Sequence, residues 1–356
     1  MKILVDARSL GEKPSGVGMY LYNFIMYLYK AKEELFLLTD ISTSKELKTL
    51  HELGIPIISY KKKCRKNVYI FHYFMFIQQQ IYFIKPNIFW EGNNLIPFPL
   101  KNPYGKICIT IHDIFPVTHI KYYSYIYQFY FKFFIKRSIK WTDIILYNSR
   151  ETKKNVESVF PFAKEKNNFI SYIIVENKYN FNIKDKGYFL YIGNCERRKG
   201  TDILLEAYKQ YINQGGSKPL YIIGSIREVC IQNIIDTMRH IPTFKYIGYV
   251  SEEEKEQYLA ECSCFVFPSI AEGFGIPILE AMYYKKTIIA SNLPIFKEIV
   301  GDSINYFDLC VSKEKQIENL VYQLFFYHKR ELFNDVELNY CSENLGKSLI
   351  NHFNSE

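Results

Sequence analysis

Two glutamates, Glu272 and Glu280, flank the short run Gly273-Phe-Gly-Ile-Pro277. Cys264-Phe-Val-Phe267 before them reads as the end of a buried strand, and Pro277, with its preset φ, suits the first turn of a helix starting near Ile276. Such a helix turns unpaired N–H groups and a partial positive charge outward, where a phosphate or a sugar oxygen can bind. Ionised carboxylates accept hydrogen bonds from vicinal hydroxyls, so Glu272 before the helix and Glu280 one turn into it are suited to a ribose or a hexose. A plain strand-to-helix turn with two solvated glutamates would carry the same residues. Counter-charge for an anion stands at Arg198 and Lys199, at the carboxyl end of the apparent strand from Tyr188 and before a helix through Ile203, Leu204 and Ala207. A solvated basic turn is the alternative there, and position after the strand favours the anion.

Near the amino terminus the strand Lys2-Ile-Leu-Val-Asp-Ala-Arg8 leads to Gly16-Val-Gly18-Met-Tyr20 and a helical pattern through Leu21, Phe24, Ile25 and Leu28. Glycines after a first strand let backbone approach phosphates closely. A dinucleotide fingerprint would look similar, with Asp40 as its ribose-binding acid, but Leu21 stands where its third glycine belongs. In the segment Ile107 to His119 a further buried strand ends in His112 and Asp113 before a turn around Pro116; polar groups at strand ends belong to sites more often than to cores, although a lone histidine is more often structural.

The pattern of Glu, seven residues and Glu around GFGIP resembles the signature of the retaining nucleotide-sugar glycosyltransferases of family four, the glycosyl transferases group 1, over nearly the whole chain. The resemblance implies an α/β GT-B fold of two Rossmann-like, doubly wound parallel-sheet domains facing a central cleft. It also implies roles: Glu272 near the donor sugar, Glu280 on the ribose, and the backbone of Phe274, Gly275 and Ile276 on the sugar and diphosphate. Arg198 and Lys199 would clamp the diphosphate, the Gly16 and Gly18 loop would close over it, the base would lie near Val250, and His112 would sit by the reacting sugar. Catalytic roles thus fall to His112, Glu272, Arg198 and Lys199. Two positions depart from the family: Asn194 and Met19 stand where many members have arginine, with no replacement visible for the former.

These residues need two strand-helix frameworks, and 356 residues exceed one ordinary core. Alternation restarts near Gly187 after a polar stretch, giving an acceptor-side domain over 1–168 and a donor domain over 182–337, with the helix at 343–353 packing back on the first. In the second domain the strands follow at Tyr188, Leu220–Gly224, Phe244–Val250 and Cys262–Phe267.

Eight cysteines show no metal or redox spacing, and Cys262 with Cys264 reads as one face of a strand. Reduced thiols fit a cytoplasm. The amino terminus runs into a strand rather than a signal peptide, and no run of 18 apolar residues spans a bilayer. The net charge of +8 is uneven: Lys61, Lys62, Lys63, Arg65 and Lys66 form one acid-free group, and Lys121, Lys132, Lys136, Arg137 and Lys140 another. Aromatics accompany both, as in amphipathic helices for an anionic membrane surface, although a core stripe with a solvated lysine rim has the same composition. No nucleic-acid recognition motif accompanies the charge.

The expectation is a retaining, metal-independent, hexosyltransferase-type enzyme that moves a sugar from a nucleoside diphosphate to a hydroxyl on a glycan or lipid-linked glycan. It would act in bacterial surface polysaccharide biosynthesis, without a cofactor, in the cytoplasm or peripherally on the inner face of the membrane. The alternatives are an NAD-dependent Rossmann enzyme using the Gly16 loop and Asp40, and a non-catalytic subunit of the same fold.

Overall fold

Apolar runs such as Ile3-Leu-Val5 and Phe265-Val-Phe267 are short and buried on both faces, which is the pattern of inner strands in parallel sheets. The computed structural model describes residues 1–11, 16–40, 44–61, 66–174, 184–309, 312–328, 340 and 342–354. It divides the chain into two units, residues 1–176 with 339–356, and residues 177–338.

The first unit is built on β1 (Lys2–Asp6), β2 (Glu34–Thr39), β3 (Ile57–Ser59), β4 (Ile88–Glu91), β5 (Lys106–Ile111), β6 (Ile144–Tyr147) and β7 (Asn167–Ile170). These form one parallel sheet in the order β3-β2-β1-β4-β5-β6-β7. The crossovers are α1 (Gly16–Lys30), α2 (Lys45–Glu52), α3 (Lys66–Ile84), a short α4 (Phe115–Thr118), α5 (Tyr125–Trp141) and α6 (Arg150–Val159). Helix α1 begins at Gly16, so both loop glycines lie within its first turn rather than ahead of it.

Helices α3, α5 and α6 share a hydrophobic cluster: Tyr73, Phe74, Ile77 and Ile81 meet Phe131, Ile135, Ile139 and Val156 over strand residues such as Phe89 and Ile109. Removing each such side chain from water contributes roughly 1.5–3 kcal/mol.

The second unit has β8 (Phe189–Ile192), β9 (Leu220–Ile223), β10 (Phe244–Gly248), β11 (Cys264–Phe267), β12 (Thr287–Ser291) and β13 (Asn305–Phe307), parallel in the order β10-β9-β8-β11-β12-β13. Its helices are α7 (Thr201–Asn213), α8 (Val229–Met238), α9 (Glu252–Glu261), α10 (Ile276–Tyr283), α11 (Pro294–Val300) and α12 (Lys313–Phe326). The strand expected from Cys262 starts at Cys264: Cys262 instead ends α9, donating its N–H to the Tyr258 carbonyl at 3.1 Å.

The last helix, α13 (Ser342–Asn354), belongs to the first unit, where Phe353 meets Trp90 edge-on at 6.3 Å and His352 stacks on Phe169 at 4.9 Å.

Candidate active site

In a doubly wound sheet the chain leaves in one direction and returns in the other, opening a crevice at the carboxyl ends of the two strands where the order reverses. In the second unit these are β8 and β11. The loop after β8 turns through a 3-10 segment, Arg197–Lys199, and ends at Gly200 with φ 65°. A Cβ at Gly200 would fall 1.9 Å from the Pro268 carbonyl oxygen, so only glycine lets this loop close against the one after β11. The Ile270 N–H then donates to the Arg198 carbonyl at 2.9 Å.

That closure joins the cations and the first glutamate. Lys199 Nζ lies 2.5 Å from Glu272 Oε1, and Ser269 Oγ donates to the same oxygen at 2.7 Å. The Glu272 side chain is 8 % exposed and that of Lys199 17 %, so the pair is largely shielded yet reachable. Arg198 donates to Glu196 at 2.6 Å and to the Ala271 carbonyl at 3.0 Å. Sequence reasoning expected two cations waiting for an anion. In the fold each is already paired with a carboxylate, Arg198 with Glu196 and Lys199 with Glu272.

After Glu272 the chain reaches Gly275 at φ 110°, the N-cap of α10, where a Cβ would meet the Phe296 ring at 2.8 Å. Phe274 is buried, so it can offer a ligand backbone rather than ring, and Ile276 opens the helix half-buried. Glu280 follows one turn on, and Lys255 Nζ holds its Oε1 at 2.9 Å. Burial opposes the charge on Lys255, but the carboxylates of Glu280 and Glu252 hold its ammonium above the ordinary lysine range. Sequence reasoning missed Lys255. The signal was weak, one lysine among five glutamates in α9, and only the packing of α9 beside α10 selects it. Val250 is half-buried just ahead of α9, whose N-cap Ser251 forms a reciprocal capping box with Glu254.

Asn194 also has a neighbour invisible along the chain. Arg227, exposed beyond β9, donates from Nε to Asn194 Oδ1 at 3.3 Å, and its N–H donates to the Cys195 carbonyl at 3.0 Å. A cation therefore does stand beside the position where the family has its arginine.

His112, Gly16 and Gly18 lie in the first unit, at the end of β5 and the start of α1. The His112 N–H donates to Asn94 Oδ1 at 2.7 Å, its Nε2 is 3.1 Å from the Gly92 carbonyl, and its ring meets Tyr20 edge-on at 4.9 Å. Burial lowers its pKa to about 4, against the opposing hydrogen bond to Gly92, so the ring is neutral near pH 7. A carbonyl can only accept, which puts the proton on Nε2 and leaves Nδ1 with a lone pair.

At this unit's own reversal, between β1 and β4, Asp6 and Glu91 are register partners. Arg8 pairs with Asp6 at 2.6 Å and lies 3.5 Å from Glu91, with its guanidinium 4.3 Å from the Tyr73 ring centre. Burial and the Asp6 carboxylate push Glu91 well above the usual carboxylate range. This cluster was also missed; its only trace in the sequence is a polar residue closing each of two buried strands.

Residues 175–325 match the family model described as Glycosyl transferases group 1. The chain is 25 % identical to the O-antigen chain mannosyltransferase RfbU of Salmonella typhimurium, over 85 % of this chain and 86 % of that one. It is 34 % identical to the O-antigen chain mannosyltransferase B of Escherichia coli over 121 residues, 33 % of this chain and 32 % of that one. Among solved structures it is similar to Anabaena HepE in complex with UDP and glucose, with a TM-score of 0.74, 13 % identity and full coverage of both chains. With two doubly wound sheets and full-length likeness to such structures, the chain has the GT-B fold, and its residues 175–325 are similar to the glycosyl transferases group 1.

Proposed function

We propose that the protein is a retaining glycosyltransferase that moves a hexose from a nucleoside diphosphate to a hydroxyl of a glycan or lipid-linked glycan, in the building of a bacterial surface polysaccharide. The observation that carries this is the joining of Lys199, Arg198 and Glu272 at the β8/β11 crevice, beside the first turn of α10. When the glycosidic bond breaks, negative charge gathers on the departing diphosphate. Lys199, Arg198 and the N–H groups of α10 can meet it there, and fixed donors aimed at developing charge are the largest source of rate in most enzymes.

Donor binding would convert the resting pairs. The diphosphate would take over Lys199 and Arg198, freeing Glu272 to accept from a sugar hydroxyl, while Glu280, steadied by Lys255, would accept from the ribose. Val250 would border the base, and Gly16, Gly18 and neutral His112 would serve from the first unit. Attack from the face of the leaving group, with a diphosphate oxygen taking the acceptor proton, would retain the anomeric configuration without a dedicated base. These cations supply the counter-charge in our proposal, so it calls on no metal or cofactor. The acid-free aromatic segments support work at the inner face of a membrane.

The test is incubation with UDP-, GDP- and dTDP-sugars, mannosyl donors first because two relatives are named mannosyltransferases. Slow release of one sugar is expected, with its first-formed anomer, read by NMR, matching the donor's. Release of the opposite anomer overturns retention. Thermal stabilisation by NAD and by no nucleoside diphosphate would favour a dinucleotide enzyme instead; Asp40, its ribose acid, already accepts from Tyr69 at 2.5 Å.

A further inference from the structure

Helices α3 and α5 are apolar on two opposite sides. On α5 the inward stripe Phe131, Ile135 and Ile139 fills the core, while Ile126, Phe129 and Phe133 form a second stripe facing out. Ile126 is 82 % exposed and Phe129 71 %. On α3 the inward stripe is Tyr73, Phe74, Ile77 and Ile81, and the outward one is Val68, Phe71, Met75 and Tyr82, at the same three- and four-residue spacing. A surface helix in water turns polar residues outward. These two do not.

The two outward stripes belong to one layer. Both inward stripes enter the same hydrophobic cluster on one face of the sheet, and the segment after β4 ties the helices together. In that segment Phe98 packs on Phe71 at 5.3 Å and on Phe74 at 6.1 Å, while the Ile96 N–H donates to Ser138 of α5 at 2.7 Å. The sequence keeps the two segments about forty residues apart; the fold brings both into one hydrophobic cluster, bridged by Ile96 and Phe98.

Charge identifies the partner. Residues 53–90 and 114–142 contain no Asp or Glu, so no acid from either segment neutralises the cations there. Along α5 the outward stripe continues from Ile126, Phe129 and Phe133 into Lys136, Arg137 and Lys140, all exposed, with Arg137 4.5 Å from the Phe133 ring centre. Tyr125 and Tyr130 border the apolar part and are exposed as well. Apolar residues edged by tyrosines and backed by cations match an anionic lipid surface, with acyl chains below, an interfacial zone for amphipathic rings and phosphates for the ammonium groups. Among the described residues no helix is long and apolar enough to cross a membrane.

We propose that the first unit docks on an anionic bilayer through the joint outer face of α3 and α5, with Ile126 and Phe129 entering the acyl boundary and Lys136, Arg137 and Lys140 contacting lipid phosphates. This rests on the peripheral location proposed above and names the surface responsible. Of the amino-terminal basic group, Lys61 is exposed just ahead of α3, and Lys62, Lys63 and Arg65 lie outside the described residues.

The test is sedimentation of the full chain with vesicles of phosphatidylcholine, with and without phosphatidylglycerol. Binding is expected only with the anionic lipid, and to fall on going from 0.1 M to 1 M salt as the Debye length shrinks from about 10 Å to about 3 Å. Ile126→Ser with Phe129→Ser, and separately Lys136→Gln with Arg137→Gln and Lys140→Gln, should each lower partitioning about tenfold or more. Release of sugar from a nucleotide donor should stay unchanged in both variants, which shows that they fold. Failure of the parent chain to sediment with anionic vesicles, or undiminished sedimentation of both variants, overturns the docking. So does a dimer, seen by sedimentation velocity without lipid, that the Ile126 and Phe129 substitutions dissociate while vesicles are ignored. Vesicle binding without turnover of any nucleotide sugar would leave the docking standing and remove the transferase proposal.

Discussion

The two units share one architecture and differ in what they turn outward. Both are parallel sheets whose order reverses once, and both collect polar residues where it does. In the first unit, large apolar side chains stand exposed in rows along α3 and α5, and at the reversal the carboxylates of Asp6 and Glu91 are buried near Tyr73, while Arg8 is half-buried. In the second, the exposed large apolar residues among those described are the scattered Val229, Tyr249, Tyr322 and Phe326, and the ion pairs at the reversal stay partly open. A doubly wound sheet thus specifies where a site can be. Loop closure and the outer helix faces are what our proposals use to assign each unit a partner, a small anion to one and a broad surface to the other.

The largest expected effect tests the second unit. Lys199→Ala and Arg198→Ala should each lower kcat by about a hundred- to a thousandfold, the usual cost of removing one donor from developing charge. Lys199→Ala also leaves Glu272 without its ammonium, so nucleotide affinity should be measured beside turnover. Near-normal kcat in both variants would reduce the β8/β11 pairs to structural supports.

A smaller effect belongs to the first unit, through His112. Its pKa is about 4 folded against an ordinary value of 6.5, so the unfolded chain binds the extra proton first as pH falls. Stability should be intact above about pH 6.5 and decline down to about pH 4, by at most about 3 kcal/mol. Denaturant midpoints across that range should show the decline in the parent and its loss in His112→Gln. Equal slopes in both proteins would assign the pH dependence to other groups.

The smallest difference separates the two glutamates. Glu280→Ala should weaken binding of the bare nucleoside diphosphate about tenfold, as expected for one lost charged hydrogen bond to ribose. Glu272→Ala should spare that affinity and harm sugar transfer. Calorimetry on the two folded variants decides the matter, and equal losses of affinity would merge the two roles into one.

Much of the second unit was legible along the chain because its chemistry is local. Arg198 and Lys199 are adjacent, and Glu272, Gly275 and Glu280 share one strand-loop-helix, so a single segment carries both the residue types and the backbone that presents them. The strands announced themselves by short apolar runs, although the one from Cys262 lost its first residues to the end of α9.

The tertiary fold decided what depends on contacts between distant segments. Lys255 reaches Glu280 only because α9 and α10 pack together, and Arg227 reaches Asn194 only because β9 lies beside β8. The same holds for charge state: the sequence shows cations and carboxylates, but whether a lysine awaits an anion or already holds Glu272 is settled by the approach of two loops at Gly200. Periodicity, likewise, marks a helix as apolar without saying which side the core takes. On α3 and α5 both sides were candidates; packing against the sheet used one and left the other exposed, because a helix can bury only the face it turns to its neighbours.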